Sequence, residues 1–155
     1  MAVKTIPEGA QAVTAYLIVK GGARALEFYA KAFGATEIYR LVEPGGRIGH
    51  AEFRIAGCVL MLADEYPDFG SIAPTSLGGT PVKMHLRVAD ADAFMRRAIA
   101  AGATELRAVK DQFHGERSGM LADPFGHQWF VTTHIEDVSP EEMQKRFTAM
   151  MRAGE

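Results

Sequence analysis

Two short runs carry the residues that could do chemistry. In GHAEFRIAG, His50, Glu52 and Arg54 stand at every second position, interleaved with Ala51, Phe53 and Ile55. On a β-strand this spacing sends the three polar side chains to one face and the three apolar ones to the other. In VKMHLRV, Lys83, His85 and Arg87 have the same spacing and so share one face. An imidazole beside a carboxylate can exchange and stabilise a proton, while Lys and Arg hold anions or polarise a carbonyl oxygen. His50, Glu52 and His85 are therefore the candidate acid–base residues. Lys83, Arg87 and Arg54 are candidate contacts for an anionic or carbonyl-bearing molecule. The same residues also suit a solvated ladder of ion pairs between neighbouring strands. His50, Glu52 and His85 would in addition make a His/His/carboxylate set for a divalent metal, provided that folding brings His85 to the other two.

These runs must be positioned by strands, and the chain supplies them twice. AVTAYLIVK (12–20) reads as a strand, ARALEFYAKAF (23–33) as a helix closed by Gly34, and ATEIYRLVE (35–43), IGHAEFRIA (48–56) and CVLMLAD (58–64) as strands. Residues 65–80 have no period and read as a linker. The order then repeats: strand 82–88, helix 89–101 with Asp90 or Asp92 as N-cap and Gly102 at its end, strand 103–110, turn-rich 111–118, strand 119–123, turn PFG and strand 127–134. The phrase GATE occurs at 34–37 and again at 102–105, marking the helix-to-strand corner of each copy. Aligned on their first and last strands, the copies match at an offset of 69, which places Thr14 over Lys83, Tyr16 over His85 and Met61 over Phe130. The expected architecture is α+β: a βαβββ module at 12–64, the linker 65–80, a second module at 81–134 and a C-terminal helix at about 139–152. Ser139, Pro140 and Glu142 open that helix with a capping box, and Met143, Phe147, Met150 and Met151 form its apolar stripe.

The chain has 155 residues, 48% of them hydrophobic, enough for a sizeable core. Its 17 basic and 19 acidic residues leave a net charge of −2, with no basic excess to draw it to nucleic acid. No apolar run approaches the ~20 residues that span a bilayer, and MAVKTIPEGAQ has no apolar core of a secretory signal. The expectation is a cytoplasmic protein that binds neither nucleic acid nor membrane. Cys58 is the one cysteine, which excludes an intrachain disulfide, and its apolar run AGCVLML suggests a buried side chain.

The duplicated βαβββ order, RALEFYAKAFG after the first strand and DPFGHQW before the last resemble the glyoxalase/bleomycin-resistance/extradiol dioxygenase (vicinal oxygen chelate) superfamily. GHAEFRIAG, MLADE and THIEDVSPEEMQKR are similar to its PhnB-like branch. The resemblance implies two curved mixed sheets paired around a cleft, and a homodimer. It also implies that a divalent metal, where present, is held at four cleft positions, which fall on Thr14, Met61, Lys83 and Phe130. None of these is a usual ligand, and Lys83 repels a cation. No cofactor is therefore expected, with an off-pattern metal at His50, Glu52 and His85 as the alternative. If the four positions face the cleft, alternation adds Tyr16, His85, Arg87 and Gln128, with Tyr16, Met61 and Phe130 as apolar contacts. Three readings follow: a metal-free protein that binds a small molecule; a lyase, isomerase or dioxygenase-type enzyme using His/Glu acid–base chemistry or an off-pattern metal site; and a dimeric interaction module built on the tail stripe and the linker 65–80.

Overall fold

The computed structural model describes residues 3–154; Met1 and Ala2 of the N-terminal stretch lie outside them. In the first module β1 (Tyr16–Val19) leads through α1 (Gly22–Phe33) to β2 (Thr36–Val42), β3 (Ile48–Ile55) and β4 (Cys58–Asp64). A 3₁₀ turn at Pro67–Phe69 and the short α2 (Pro74–Leu77) occupy the segment read as a linker. The second module runs β5 (Lys83–Arg87), α3 (Ala91–Ala100), β6 (Thr104–Asp111), β7 (Glu116–Ala122) and β8 (Gln128–His134), and α4 (Pro140–Ala153) ends the chain. The strands form two sheets of the same topology, β1-β4-β3-β2 and β5-β8-β7-β6, each with one parallel pair. This is the α+β, two-module architecture expected from the repeat.

The duplication extends to single residues. Tyr16 pairs with Met61 across β1 and β4, as His85 pairs with Phe130 across β5 and β8. Gly34 and Gly102, the corner glycines, both adopt left-handed conformations (φ 67° and 121°). There a side chain would be strained, which is why each copy of the corner spells Gly. The helix starts are tied to the last strand of their own module. Asp64 accepts from the backbone N–H groups of Gly21, Gly22 and Ile48 at 2.7–2.8 Å, and Thr133, its counterpart, accepts from Ala91 N–H at 2.8 Å. Asp90 caps α3 as expected, accepting from Ala93 N–H.

The core lies between the modules. Helix α1 rests on the first sheet, α3 on the second, and the two helices touch. Tyr29 of α1 stacks on Phe53 of β3 and meets the edge of Trp129 of β8, and Phe33 meets Trp129 and Phe94. Both helices therefore sit on the inner side of their sheets, and the opposite faces, which carry His50, Glu52, His85 and Arg87, point away from the shared core. The cleft is not closed within one chain. His127 Nε2 bonds to the Ile18 carbonyl at 2.8 Å and ties β8 to β1.

Three expectations need correction. The first strand is shorter than 12–20, leaving Thr14 ahead of it. Strand β7 begins at Glu116, not 119, so part of the apparent turn segment is strand. Cys58 is exposed. It shares the inward parity of Leu60 and Leu62 but stands at the end of β4, where the inner face runs out into a groove with Gln11 and Val13.

Candidate functional site

On the outer face of the first sheet, Tyr16, Met61, Glu52 and Tyr39 stand side by side on four successive strands. His50 lies two residues along β3 from Glu52 and is flanked by both tyrosine rings, at 5.4 and 5.7 Å between centroids. Tyr16 Oη is 2.7 Å from His50 Nδ1, His50 Nε2 is 3.4 Å from Glu52 Oε1, and Tyr39 Oη donates to the same oxygen at 3.1 Å. The carboxylate only accepts, so Nε2 carries the proton of the neutral ring and Nδ1 accepts from Tyr16. Burial raises the Tyr16 phenol above its ordinary range, and burial together with the Glu52 carboxylate raises that of Tyr39. Both are neutral donors at physiological pH. Arg54 closes the row on β3, exposed and without an ion pair among the described residues.

The second sheet repeats the row with other chemistry. His85, Phe130, Met120 and Arg107 stand abreast, matching Tyr16, Met61, Glu52 and Tyr39. The Arg107 guanidinium reaches back over the Phe130 ring, 5.4 Å from its centroid, and the His85 ring lies 6.2 Å from the same centroid on its other flank. Lys83 lies beside Gln128, and Arg87 beside Thr132. Glu116 lies within ion-pair distance of three basic side chains: His85 Nε2 at 3.4 Å, Arg87 Nε at 3.6 Å and His114 Nδ1 at 3.9 Å. Arg107 and Lys83 have no ion-pair partner among the described residues. A hollow of about 780 Å³ opens beside Arg87, His114, Glu116 and Met143, and one of about 460 Å³ beside Tyr16 and Ile18.

The structure thus joins His50, Glu52, Tyr16 and Met61 on one sheet, and Lys83, His85, Arg87, Gln128 and Phe130 on the other. It does not bring His85 to His50 and Glu52. The proposed His/His/carboxylate metal set is not assembled in one chain, because the helices lie between the sheets. Among the described residues no three His, Cys, Asp or Glu side chains are placed to hold a metal ion. The four family positions fare no better: Met61 and Phe130 offer a thioether and a ring, Lys83 a positive charge, and Thr14 stands before β1. These residues do not fit a divalent cation.

Sequence reasoning missed Tyr39, Arg107 and Glu116. Tyr39 and Arg107 are on the edge strands β2 and β6, where register shifts at Glu37/Tyr39 and Glu105/Arg107 break the simple alternation. The repeat could have found them, since both shifts fall at the same place in each copy. Glu116 was hidden by reading DQFHGERS as a turn; its alternation with Ser118 and Met120 was the available signal.

Comparison with known proteins adds the lineage. The family model "Glyoxalase/Bleomycin resistance protein/Dioxygenase superfamily" matches residues 11–131. The chain belongs to this superfamily. Within the glyoxalase/bleomycin resistance/dioxygenase superfamily, the uncharacterized protein Mb0911c of Mycobacterium bovis is 46% identical over 136 residues, covering 86% of this chain and 90% of its own length. Among solved structures, the gene product AT5G48480 of Arabidopsis thaliana superposes with a TM-score of 0.64 at 25% identity, over 79% of this chain and 98% of that one. A glyoxalase-related enzyme from Fulvimarina pelagi gives a TM-score of 0.64 at 23% identity, over 81% and 89% of the two chains; it bears on the fold alone. No helix among the described residues is long and apolar enough to cross a membrane.

Proposed function

We propose that this superfamily member binds a small anionic or carbonyl-bearing molecule on its outer faces without the usual metal. The observation that carries this reading is the second-sheet row. Arg107 and His85 flank the Phe130 ring and Lys83 and Arg87 stand on either side; Glu116 answers His85 and Arg87, while Arg107 and Lys83 have no acidic partner among the described residues. Cations left without acidic partners around an apolar ring suit a ligand with a carboxylate or another oxyanion on an apolar body. Thr14, Tyr16, Arg54, Met61 and Gln128 complete the contacts of the two faces. Because the faces point away from the core, we place the closed cleft between two copies of the chain, as a homodimer in the cytoplasm. The segments quoted above, with a PhnB protein from Bacillus cereus of like fold (TM-score 0.60, 21% identity), support a place in the PhnB-like branch.

A thermal-shift screen of small carboxylates, oxoacids and phosphonates tests the reading. The expected result is a rise in Tm with some of them, which Arg87→Ala and Lys83→Ala weaken. No response to any anionic or carbonyl compound would overturn it. The acid–base reading of the same protein is favoured by one specific observation, the bonded Tyr16–His50–Glu52 series on the first sheet.

A further inference from the structure

Tyr16, His50 and Glu52 are ordered as a hydroxyl, a base and the group that orients the base. The phenol donates to Nδ1 at 2.7 Å, and the opposite ring nitrogen faces Glu52 at 3.4 Å. Tyr39 holds that carboxylate from the far side at 3.1 Å. The two tyrosine rings brace the imidazole, so the base is held in place before anything binds. Tyr16 itself is 46% exposed and borders the hollow on the outer face. A hydroxyl is a poor nucleophile at a pH well below its own pKa and becomes a good one when an adjacent base takes its proton as it reacts. The arrangement meets that requirement, and nothing else on the first sheet explains why a phenol, an imidazole and a carboxylate are bonded in series on an open face.

We propose that Tyr16 is a base-activated hydroxyl that attacks the carbonyl carbon of an acyl-bearing small molecule. This rests on the reading that the first-sheet face receives carbonyl compounds. In the step, the Tyr16 Oη–carbon bond forms as the phenolic proton passes to His50 Nδ1, and the carbonyl π pair moves to oxygen. The pair returns as the bond to the leaving group breaks. The leaving group departs with its electron pair and takes the proton from His50, leaving acyl-Tyr16 and a neutral ring. Glu52 stabilises the transient imidazolium, and Tyr39 is a positioning residue for Glu52.

p-Nitrophenyl acetate is a suitable probe, because it acylates activated hydroxyls without a dedicated pocket. The full chain is exposed to it at neutral pH, p-nitrophenolate is followed by absorbance, and acetylated peptides are quantified by mass spectrometry. Tyr39 is the internal control: it is 42% exposed, close to Tyr16, but bonded to a carboxylate and not to an imidazole. Tyr16 should acetylate first, with His50→Gln slowing it about 100-fold, the usual contribution of a positioned base, and added imidazole restoring part of the rate. Tyr39→Phe should change the pH dependence of labelling while leaving Tyr16 the preferred site. Equal labelling of Tyr16 and Tyr39 in the unaltered protein, or a rate indifferent to His50→Gln, would overturn the proposal. Should His50→Gln fail to fold, Glu52→Gln serves in its place, and the Tyr16-to-Tyr39 ratio in the unaltered chain already decides. The probe needs no physiological ligand, so failure here removes the activated hydroxyl and leaves the binding reading to its own screen.

Discussion

Tyr29 donates its phenolic hydrogen to Asp123 at 2.6 Å, joining the helix of the first module to the DPFG turn of the second. Asp123 also accepts from Trp129 Nε1 and from the backbone N–H groups of Phe125 and His127. A carboxylate buried to this degree (4% exposed) is tolerable only because four donors surround it. Tyr29→Phe removes one donor and should cost about 1–2 kcal/mol, whereas Asp123→Ala strands the buried donors and should cost about 3 kcal/mol or more. Urea unfolding followed by Trp129 fluorescence measures both. Burial, and after it the Asp123 charge, pushes the Tyr29 phenol well above its ordinary value. Its contribution is therefore complete below the unfolded tyrosine pKa of about 10 and declines as pH climbs beyond that. Tyr29→Phe should flatten the alkaline arm of the stability–pH curve.

The β3–β4 turn is strained at one residue. Ala56 has φ 49° and Gly57 φ 81°, the pair of left-handed conformations that a two-residue hairpin demands and that Asn-Gly satisfies best. Ala56→Asn should raise stability by about 1 kcal/mol, read as a higher urea midpoint with an unchanged slope. A loss of stability would show that the strain is compensated elsewhere.

Helix α4 is an attachment, held by polar contacts and one ring pair. It buries no residue. Arg146 grips Glu136 through two bonds of 2.7 and 2.9 Å and bonds to the Phe113 carbonyl, while Phe147 meets Phe113 at 5.7 Å. A chain ended after Val138 should keep its fold and its Tm to within a few degrees. The Arg146 hydrogen bonds hold the Glu136 carboxyl below its usual range, so the tie is intact above the ordinary carboxylate pKa of about 4.3 and weakens as pH falls through the lowered value. Hydrogen exchange in 140–153 should accelerate there. Arg146→Ala should produce the same acceleration at neutral pH.

The donor set predicts the metal content. Protein purified without chelator should carry far less than one zinc, nickel, manganese or iron per chain by inductively coupled plasma mass spectrometry, and EDTA should leave Tm unchanged. Stoichiometric metal would overturn the metal-free reading and place the ion across the proposed two-chain cleft, since within one chain His85 stands apart from His50 and Glu52.

How much of this was legible in the sequence follows from where periodicity is strong. Ala51, Phe53 and Ile55 against His50, Glu52 and Arg54 is a clean alternation, and both the strand and its faces could be read from it. The repeated GATE marks the module corners, and the offset of 69 equates Tyr16 with His85 and Met61 with Phe130, which hold matching places in their sheets. Contacts made across the sheet were not legible. That Tyr16 reaches His50, or that Arg107 folds back over Phe130, depends on strand order and on side chains longer than the spacing of strands. That the two helices meet each other between the sheets was equally hidden. The apolar stripes of α1 and α3 require a partner, and each sequence stripe is satisfied whether that partner is one sheet or a sheet and the other helix.

That placement of α1 and α3 between the sheets has a genetic consequence. In the proposed homodimer, a ligand held by the polar faces of both sheets is held by two chains, through the first module of one and the second module of the other. A chain disabled at His50 and a chain disabled at Arg87 should then rescue each other when refolded together, because mixed pairs regain one intact site, while neither variant recovers by itself. Partial dominance and complementation between alleles would be the signature of this protein in a cell.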